Sequence, residues 1–535
     1  MNSIHHATYL QHIQKHLPDL NPDYLSSINQ IIENTNWDDP ELSSDWNNIA
    51  VIALIEAEKY TNDLITRSMY LDMAFEALNN GLSIDNHPLC ASHLALIYNL
   101  IGANNQAIEI AFNTLINQIQ AACTQSPEVN NYLIYIPKNY QQIADPDRQS
   151  IQQILQSRDS YEQAIFLLGK IISNSQMAFY TPFSRRFLNI VDQIINNSVE
   201  LKLKLGISNL MSRQVEGILY LQKARKLAPN HAPALQALYL AYRDLEQQEI
   251  AEYWRNISKE LYQLNPDALE WFWTQLPVNS SFTYIPFEQQ LIIAVEPSLK
   301  SIATSVLIAE QDWFEHEMEF WRNHIQPGMT IIDVGANVGV YTFSAALKVG
   351  KKGKVLAVEP YSVCVRCLQE TCRINQLSSV KICAGAASNN ESSIKLLLHS
   401  ANELNQVITG EAAENLAPGS FEEVPCFTLD SLIKQEQITN VDFLKIDAEG
   451  HEMAVLTGSQ QIINQFSPII LYENIAGSQG SNIEVAQYLI NLDYELFYYQ
   501  PFLQKLIPVN LEEDAQTQLN FIAVPPEKTT MFNVD

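Results

Sequence analysis

The stretch Ile331-Ile332-Asp333-Val334-Gly335-Ala336-Asn337-Val338-Gly339 constrains the chain more than any other. An apolar run of strand character meets glycines at 335 and 339, and a helical pattern begins at Val340. Glycine lets the main chain bend sharply and approach a ligand with no Cβ in the way. The N–H groups that open the helix suit a carboxylate. From Met329 onward the same grammar repeats. Strands are expected over residues 330–334, 354–358, 380–384, 443–446 and 469–472. Helices are expected over residues 340–348, up to Asn375, 451–465 and 483–492. Strands alternating with helices mean a parallel sheet covered on both faces. The last two strands, residues 494–499 and 520–524, have only a loop between them, which predicts an antiparallel ending.

The acids at the strand ends say what such a fold can hold. Glu359 follows the second strand, where a carboxylate can accept hydrogen bonds from both ribose hydroxyls of an adenosine. A dinucleotide dehydrogenase shares that acid, but seats its pyrophosphate on G-x-G-x-x-G. Here the order is D-x-G-x-N-x-G, and Asp333 can hold a positively charged amino group that a pyrophosphate site would not want. The pattern therefore favours S-adenosylmethionine, with a nicotinamide oxidoreductase as the rival.

A second constellation is Phe443-Leu444-Lys445-Ile446-Asp447-Ala448-Glu449-Gly450-His451-Glu452, at the carboxyl end of the fourth strand. Asp447, Glu449 and His451 crowd that edge, and Glu473 ends the neighbouring strand. Methyl transfer to a hydroxyl needs the acceptor aligned and its proton removed, which Asp447 or His451 can do. A helix N-terminus biases His451 toward the neutral form that suits a base. Alternatively the carboxylates and His451 hold a divalent cation such as Mg2+. Lys445 pairs with Asp447 or Glu473 in this reading, and Thr428 caps a helix.

The first half, residues 1–265, reads as almost wholly helical. Leu94, Ala95, Tyr98, Gly102 and Ala107 fall at the spacings of a tetratricopeptide helix pair. Leu235, Leu238, Tyr239, Tyr242 and Ala251 do the same, with Glu246 where a turn glycine would sit. An α-solenoid with an exposed face for a protein partner is expected. Residues 266–326 form a transition rich in aromatics, extended over 287–295 and helical over 312–323, and residues 327–535 form the sheet domain. The net charge of −28 repels phosphate backbones and anionic lipid, so no nucleic acid or membrane partner is expected. No apolar run long enough for a membrane span or a signal peptide is present. Seven cysteines without a regular framework fit reduced thiols in a cytoplasmic protein. Cys364, Cys367 and Cys372 read as small buried side chains on one helix rather than metal ligands.

Taken together, Ile331 through Gly339 followed by Tyr341-Thr342, then Val358-Glu359-Pro360, Thr428-Leu429-Asp430, Leu444 through Glu452 and Tyr472-Glu473-Asn474 resemble the FkbM family of methyltransferases, over residues 327–525. The resemblance implies a class I methyltransferase fold, a Rossmann-like seven-stranded sheet. It also implies O-methylation of a hydroxyl on a sugar, polyketide, glycan or other natural product. By the same resemblance Asp333, Gly335, Asn337, Gly339 and Glu359 correspond to the cofactor site, and Asp447 and Glu449 to the motif beside the acceptor. Residues 389–424 match no motif and are expected to shape acceptor choice. The competing reading is a helical binding or scaffold protein whose methyltransferase domain senses cofactor or is inactive.

Overall fold

The apolar strands of the C-terminal half gather into one eight-stranded sheet because most are hydrophobic on both faces and need cover on both sides. The computed structural model describes residues 2–15, 21–61, 63–121, 131–137, 145–157, 159–176, 178–399, 405–408, 417, 419–475 and 481–532. The chain divides into two compact units, Met1–Ala234 and Leu235–Asp535.

The first unit is helical: α1 (Asn2–Gln14), α2 (Pro22–Asn34), α3 (Ser43–Lys59), α4 (Leu64–Ile84), α5 (Pro88–Leu100) and α6 (Asn104–Ala121) precede α7 (Asp145–Gln156), α8 (Ser160–Asn174), α9 (Pro182–Ile194), α10 (Val199–Met211) and α11 (Gly217–Leu227). Starts are set locally. Asp63, Asp159, Thr181 and Ser198 each accept a backbone N–H of the helix they precede, and proline opens α2, α5 and α9. The α5–α6 turn contains Gly102 at φ +84. One part of this unit departs from the all-helical expectation: residues 131–137 run between helices with neither helix, strand, turn nor bend.

The second unit begins within α12 (Ala232–Asp244), which α13 (Gln248–Leu264) follows. Glu246, between them, takes φ +59, so the turn that lacks a glycine is made in the left-handed region by a glutamate. The stretch expected to be extended over 287–295 is a hairpin of β1 (Thr283–Phe287) and β2 (Leu291–Val295). α14 (Ile302–Glu310) and α15 (Glu317–His324) follow. The helix expected over 312–323 is therefore shorter. Gln311 ends α14 in the left-handed conformation, and residues 312–316 form a connection.

The sheet domain contains β3 (Thr330–Val334), α16 (Val340–Val349), β4 (Lys354–Glu359), α17 (Ser362–Asn375) and β5 (Val380–Ala384). A smaller sheet follows, of β6 (Ala386–Ala387), β7 (Ser392–Leu397), β8 (Gln406–Ile408) and β9 (Phe421–Phe427). Of the stretch expected to shape acceptor choice, residues 400–404, 409–416 and 418 lie outside the described residues. The main sheet resumes through α18 (Leu429–Gln435), β10 (Phe443–Ile446), α19 (Glu452–Thr457), α20 (Gln460–Phe466), β11 (Ile469–Glu473), α21 (Ile483–Ile490), β12 (Glu495–Gln500), β13 (Lys505–Pro508), α22 (Leu511–Asp514) and β14 (Asn520–Val524). Its order is β13-β12-β14-β11-β10-β3-β4-β5, with β5 through β11 parallel and the other three antiparallel.

Three expectations are corrected here. The sheet has eight strands rather than seven, because β12 turns back into β13 at its edge. For the same reason β12 and β14 are not a direct hairpin, although they pair antiparallel. The single helix expected over 451–465 is two, broken where the backbone of Gly458 lies so close to Ser388 that an added Cβ would meet the Ser388 carbonyl oxygen at 2.0 Å. Ile332, Val358, Leu444, Ile446 and Ile470 are fully buried at the centre of the core, each worth about 2 kcal/mol. Cys364 and Cys367 are buried thiols on α17, as expected of small apolar side chains.

Candidate functional site

The chain order reverses between β3 and β10, and the loops leaving these parallel strands meet at their carboxyl ends, where open α/β sheets bind ligands. Gly335 takes φ +75 and Gly339 φ +98. A Cβ on Gly335 would lie 1.7 Å from the carbonyl oxygen of Asp447, and one on Gly339 would run into Phe343 and Leu368. Both glycines are thus required by the chain's own close packing, where the sequence suggested room for a ligand.

The N–H groups of this loop are spoken for internally. Gly335 and Ala336 donate to the Val358 carbonyl, and Gly339 donates to that of Ala336. Asn337 N–H donates to Glu359 Oε2 at 2.7 Å, and Val338 N–H to Asn337 Oδ1 at 2.6 Å. A pyrophosphate, which is held by such N–H groups, would find these five committed. This disfavours the dinucleotide rival on geometry.

Glu359 ends β4, with Oε1 accepting from Tyr361 N–H at 2.7 Å. Burial, with Asp333 and Asp447 nearby, pushes its carboxyl up to about 7. Asp333 is completely buried; its Oδ2 accepts from the Thr342 hydroxyl at 2.5 Å, while Oδ1 has no hydrogen-bond partner among the described residues. Burial raises its carboxyl, against the pull of Lys445.

Lys445 stands opposite Asp333 in the β10–β3 register. Its Nζ lies 2.8 Å from Asp447 Oδ2 and 4.6 Å from the centre of the Tyr341 ring. Burial opposes the ammonium charge, but Asp447, Asp333 and Glu315 outweigh burial and raise its pKa. The expected pairing of Lys445 with Asp447 is found. Glu449 follows in the left-handed region at φ +50, and Gly450 at φ +93. Glu452 holds this turn, Oε1 accepting from the N–H groups of Ala448 and Gly450. His451 precedes α19, and its Nε2 lies 2.9 Å from Ser388 Oγ. Its pKa is lowered by burial, so the neutral form arises from desolvation where the sequence suggested the helix terminus.

Asp447, Glu449 and Glu473 each offer an oxygen within 4.8 Å of the others. Burial first, then Asp447, Glu449 and Glu452, push Glu473 up to about 11, and its buried Oε2 has no hydrogen-bond partner among the described residues. Thr428 caps α18 through Ser431 N–H, as expected.

Three further residues, Glu315, Glu317 and Asn520, escape sequence reasoning as parts of the site. Glu315 takes hydrogen bonds from Trp313 Nε1 at 2.9 Å, Tyr341 Oη at 2.6 Å and Asn520 Nδ2 at 3.2 Å. Glu317 lies on the same Asn520 amide at 3.4 Å. Burial and then Glu315 push Glu317 up to about 7. The sequence reads this stretch, with Trp313, Glu315, Glu317 and Glu319, as an entry helix too apolar to be solvated, and leaves the convergence on Asn520 unannounced.

Residues 333–496 match the family profile described as "Methyltransferase FkbM domain", so this part of the chain is a methyltransferase domain. No curated protein matches the chain in sequence. Among solved structures, the methyltransferase FkbM from Methylobacillus flagellatus KT is 15% identical, with 41% of this chain and 54% of that chain covered and a TM-score of 0.26. The match thus spans about half the length of that protein. A SAM-dependent methyltransferase from Aquifex aeolicus is 15% identical over 39% of this chain and 87% of that one, TM-score 0.22. Pseudomonas aeruginosa pilF is 11% identical over 51% of this chain and 96% of that one, TM-score 0.28.

Proposed function

We propose that the chain transfers a methyl group from S-adenosylmethionine to a hydroxyl of a sugar, polyketide, glycan or related natural product. The observation that carries this reading is the charge of the site. Asp333, Glu315, Asp447, Glu449 and Glu473 converge where β3, β10 and β11 end, with Lys445 among them. Such an edge favours a cationic ligand over an anionic one. The buried oxygen Asp333 Oδ1, without a partner among the described residues, suits an ammonium far better than a phosphate.

In this reading Asp333 faces the amino group, and Glu359 accepts from the ribose hydroxyls with the lone pairs that Asn337 and Tyr361 leave free. When bound, S-adenosylmethionine supplies an electrophilic methyl group on a sulfonium. Asp447, fixed by Lys445, or neutral His451, fixed by Ser388, orients the acceptor hydroxyl and takes its proton. The helical unit recruits the acceptor or a protein that carries it.

The proximity of Asp447, Glu449 and Glu473 supports a second version of the same reaction. Three carboxylates so close need a proton or a cation among them, and Mg2+ would displace the proton that Glu473 otherwise keeps. A chelator then abolishes transfer and magnesium restores it, whereas indifference to chelator leaves the general-base version. Incubation with methyl-labelled cofactor and cell extract tests the assignment as a whole. Label in a small molecule, a polysaccharide or a non-peptide group carried on protein supports it; label on protein side chains alone, or none, contradicts it.

A further inference from the structure

Residues 131–137 (Asn-Tyr-Leu-Ile-Tyr-Ile-Pro) cross the first unit as a drawn-out strap, and its main chain meets side chains instead of another strand. Asn48 Oδ1 accepts from Leu133 N–H at 2.7 Å, while Asn48 Nδ2 donates to the Asn131 carbonyl at 2.9 Å. Asn47 Nδ2 donates to the Leu133 carbonyl at 2.8 Å. Tyr9 Oη lies 3.2 Å from the Ile134 carbonyl and 3.3 Å from its N–H. His93 Nε2 accepts from Tyr135 N–H at 3.0 Å, and His12 Nε2 from Ile136 N–H at 3.4 Å. These side chains come from α1, α3 and α5, and Tyr9, His12, Asn47, Asn48 and His93 are at most 2% exposed.

Polar groups buried on helix faces are costly unless paired, and here their partners are main-chain atoms of the strap. The clamp is also internally oriented. Asn47 Oδ1 lies 2.8 Å from His93 Nδ1, which places the ring proton there and leaves Nε2 as the acceptor the strap requires. Burial pushes His93 down to about 3, so the ring is neutral as this role demands. A clamp that grips N–H and C=O groups reads an extended backbone whatever its side chains. Side-chain selection enters where Tyr135 Oη donates to Glu58 at 2.7 Å and where the apolar side chains of Leu133, Ile134 and Ile136 are buried.

We propose that the helical unit is a receptor for a drawn-out polypeptide segment of a partner protein, aliphatic around a tyrosine, and that residues 131–137 fill the receptor as an internal stand-in that such a segment displaces. This stands or falls by peptide binding alone, apart from any methyl transfer. A tethered strap competes at an effective concentration on the order of millimolar, so a free peptide binds the intact chain weakly and a strap-weakened chain well.

The probe is a labelled peptide of the strap sequence with lysines added for solubility, titrated by fluorescence anisotropy into the full chain. The variant Leu133→Ser/Tyr135→Ser is expected to bind it at least roughly tenfold more tightly than the unaltered chain. Adding Asn48→Ala to that variant is expected to abolish the gain. A double variant that keeps its helical circular dichroism yet binds no better overturns the proposal. Should it lose that signal, hydrogen exchange of residues 131–137 in the unaltered chain decides. Acceleration by millimolar peptide supports displacement, and exchange indifferent to peptide overturns it.

Discussion

Glu317→Gln is expected to stabilise the second unit, and to do so only above the acidic range. Glu317 is 7% exposed, and burial with Glu315 beside it moves its carboxyl from 4.5 to about 7. A folded-state pKa raised above the unfolded one gives stability that is fully present below the unfolded value and is lost as pH rises through the folded value. The window is therefore pH 4.5 to 7. At pH 8 the ionised side chain costs the fold about 3 kcal/mol, and at pH 5 less than about 1 kcal/mol. Glutamine keeps a carbonyl oxygen for Asn520 and removes the charge. Urea unfolding at both pH values should show the variant more stable by about 2 kcal/mol at pH 8 and nearly unchanged at pH 5. An equal effect at both pH values, or destabilisation at pH 8, would refute the reasoning.

The remaining predictions concern the site. Lys445→Met leaves the buried carboxylate of Asp333 without its neighbouring cation, and should cost about 3–5 kcal/mol by urea unfolding at pH 8. Asp447→Asn should abolish methyl transfer in a labelled-cofactor assay while calorimetry shows cofactor affinity largely intact, and parallel loss of both would mark the residue as structural. Glu359 is pushed up to about 7, so cofactor affinity should rise with pH between 6 and 8, as the ionised carboxylate accepts more strongly; a flat profile by calorimetry counts against its ribose role.

Much of the sheet domain was legible because its site residues are near neighbours in sequence. Asp333 through Gly339, Glu359 and Asp447 through His451 each sit at a strand end that periodicity alone locates, and the structure brings these ends to one edge. What was not legible arises from long-range convergence. Asn520 reaches Glu315 across 205 residues, and no local pattern announces that pairing. Residues 312–323 read as an entry helix too apolar to be solvated, but spacing does not say which distant side chains Glu315 and Glu317 meet. The edge strand β13 was missed because Lys505–Pro508 is short and ends in proline, which suits an edge but weakens a strand signal. The strap was hidden for a similar reason: Leu133-Ile134-Tyr135-Ile136 is an apolar run that fits a buried helix as well as a drawn-out segment.

The central claim is that the acid-rich edge holds a cationic methyl donor through Asp333 and Glu359, and calorimetric titration of S-adenosylmethionine into the full chain and its Glu359→Ala variant tests it most directly. Loss of the hydrogen bonds to the ribose should weaken binding by roughly tenfold or more. Saturable binding to the unaltered chain, reduced to that extent in the variant, is the predicted result; no binding, or equal binding by both, would contradict the account.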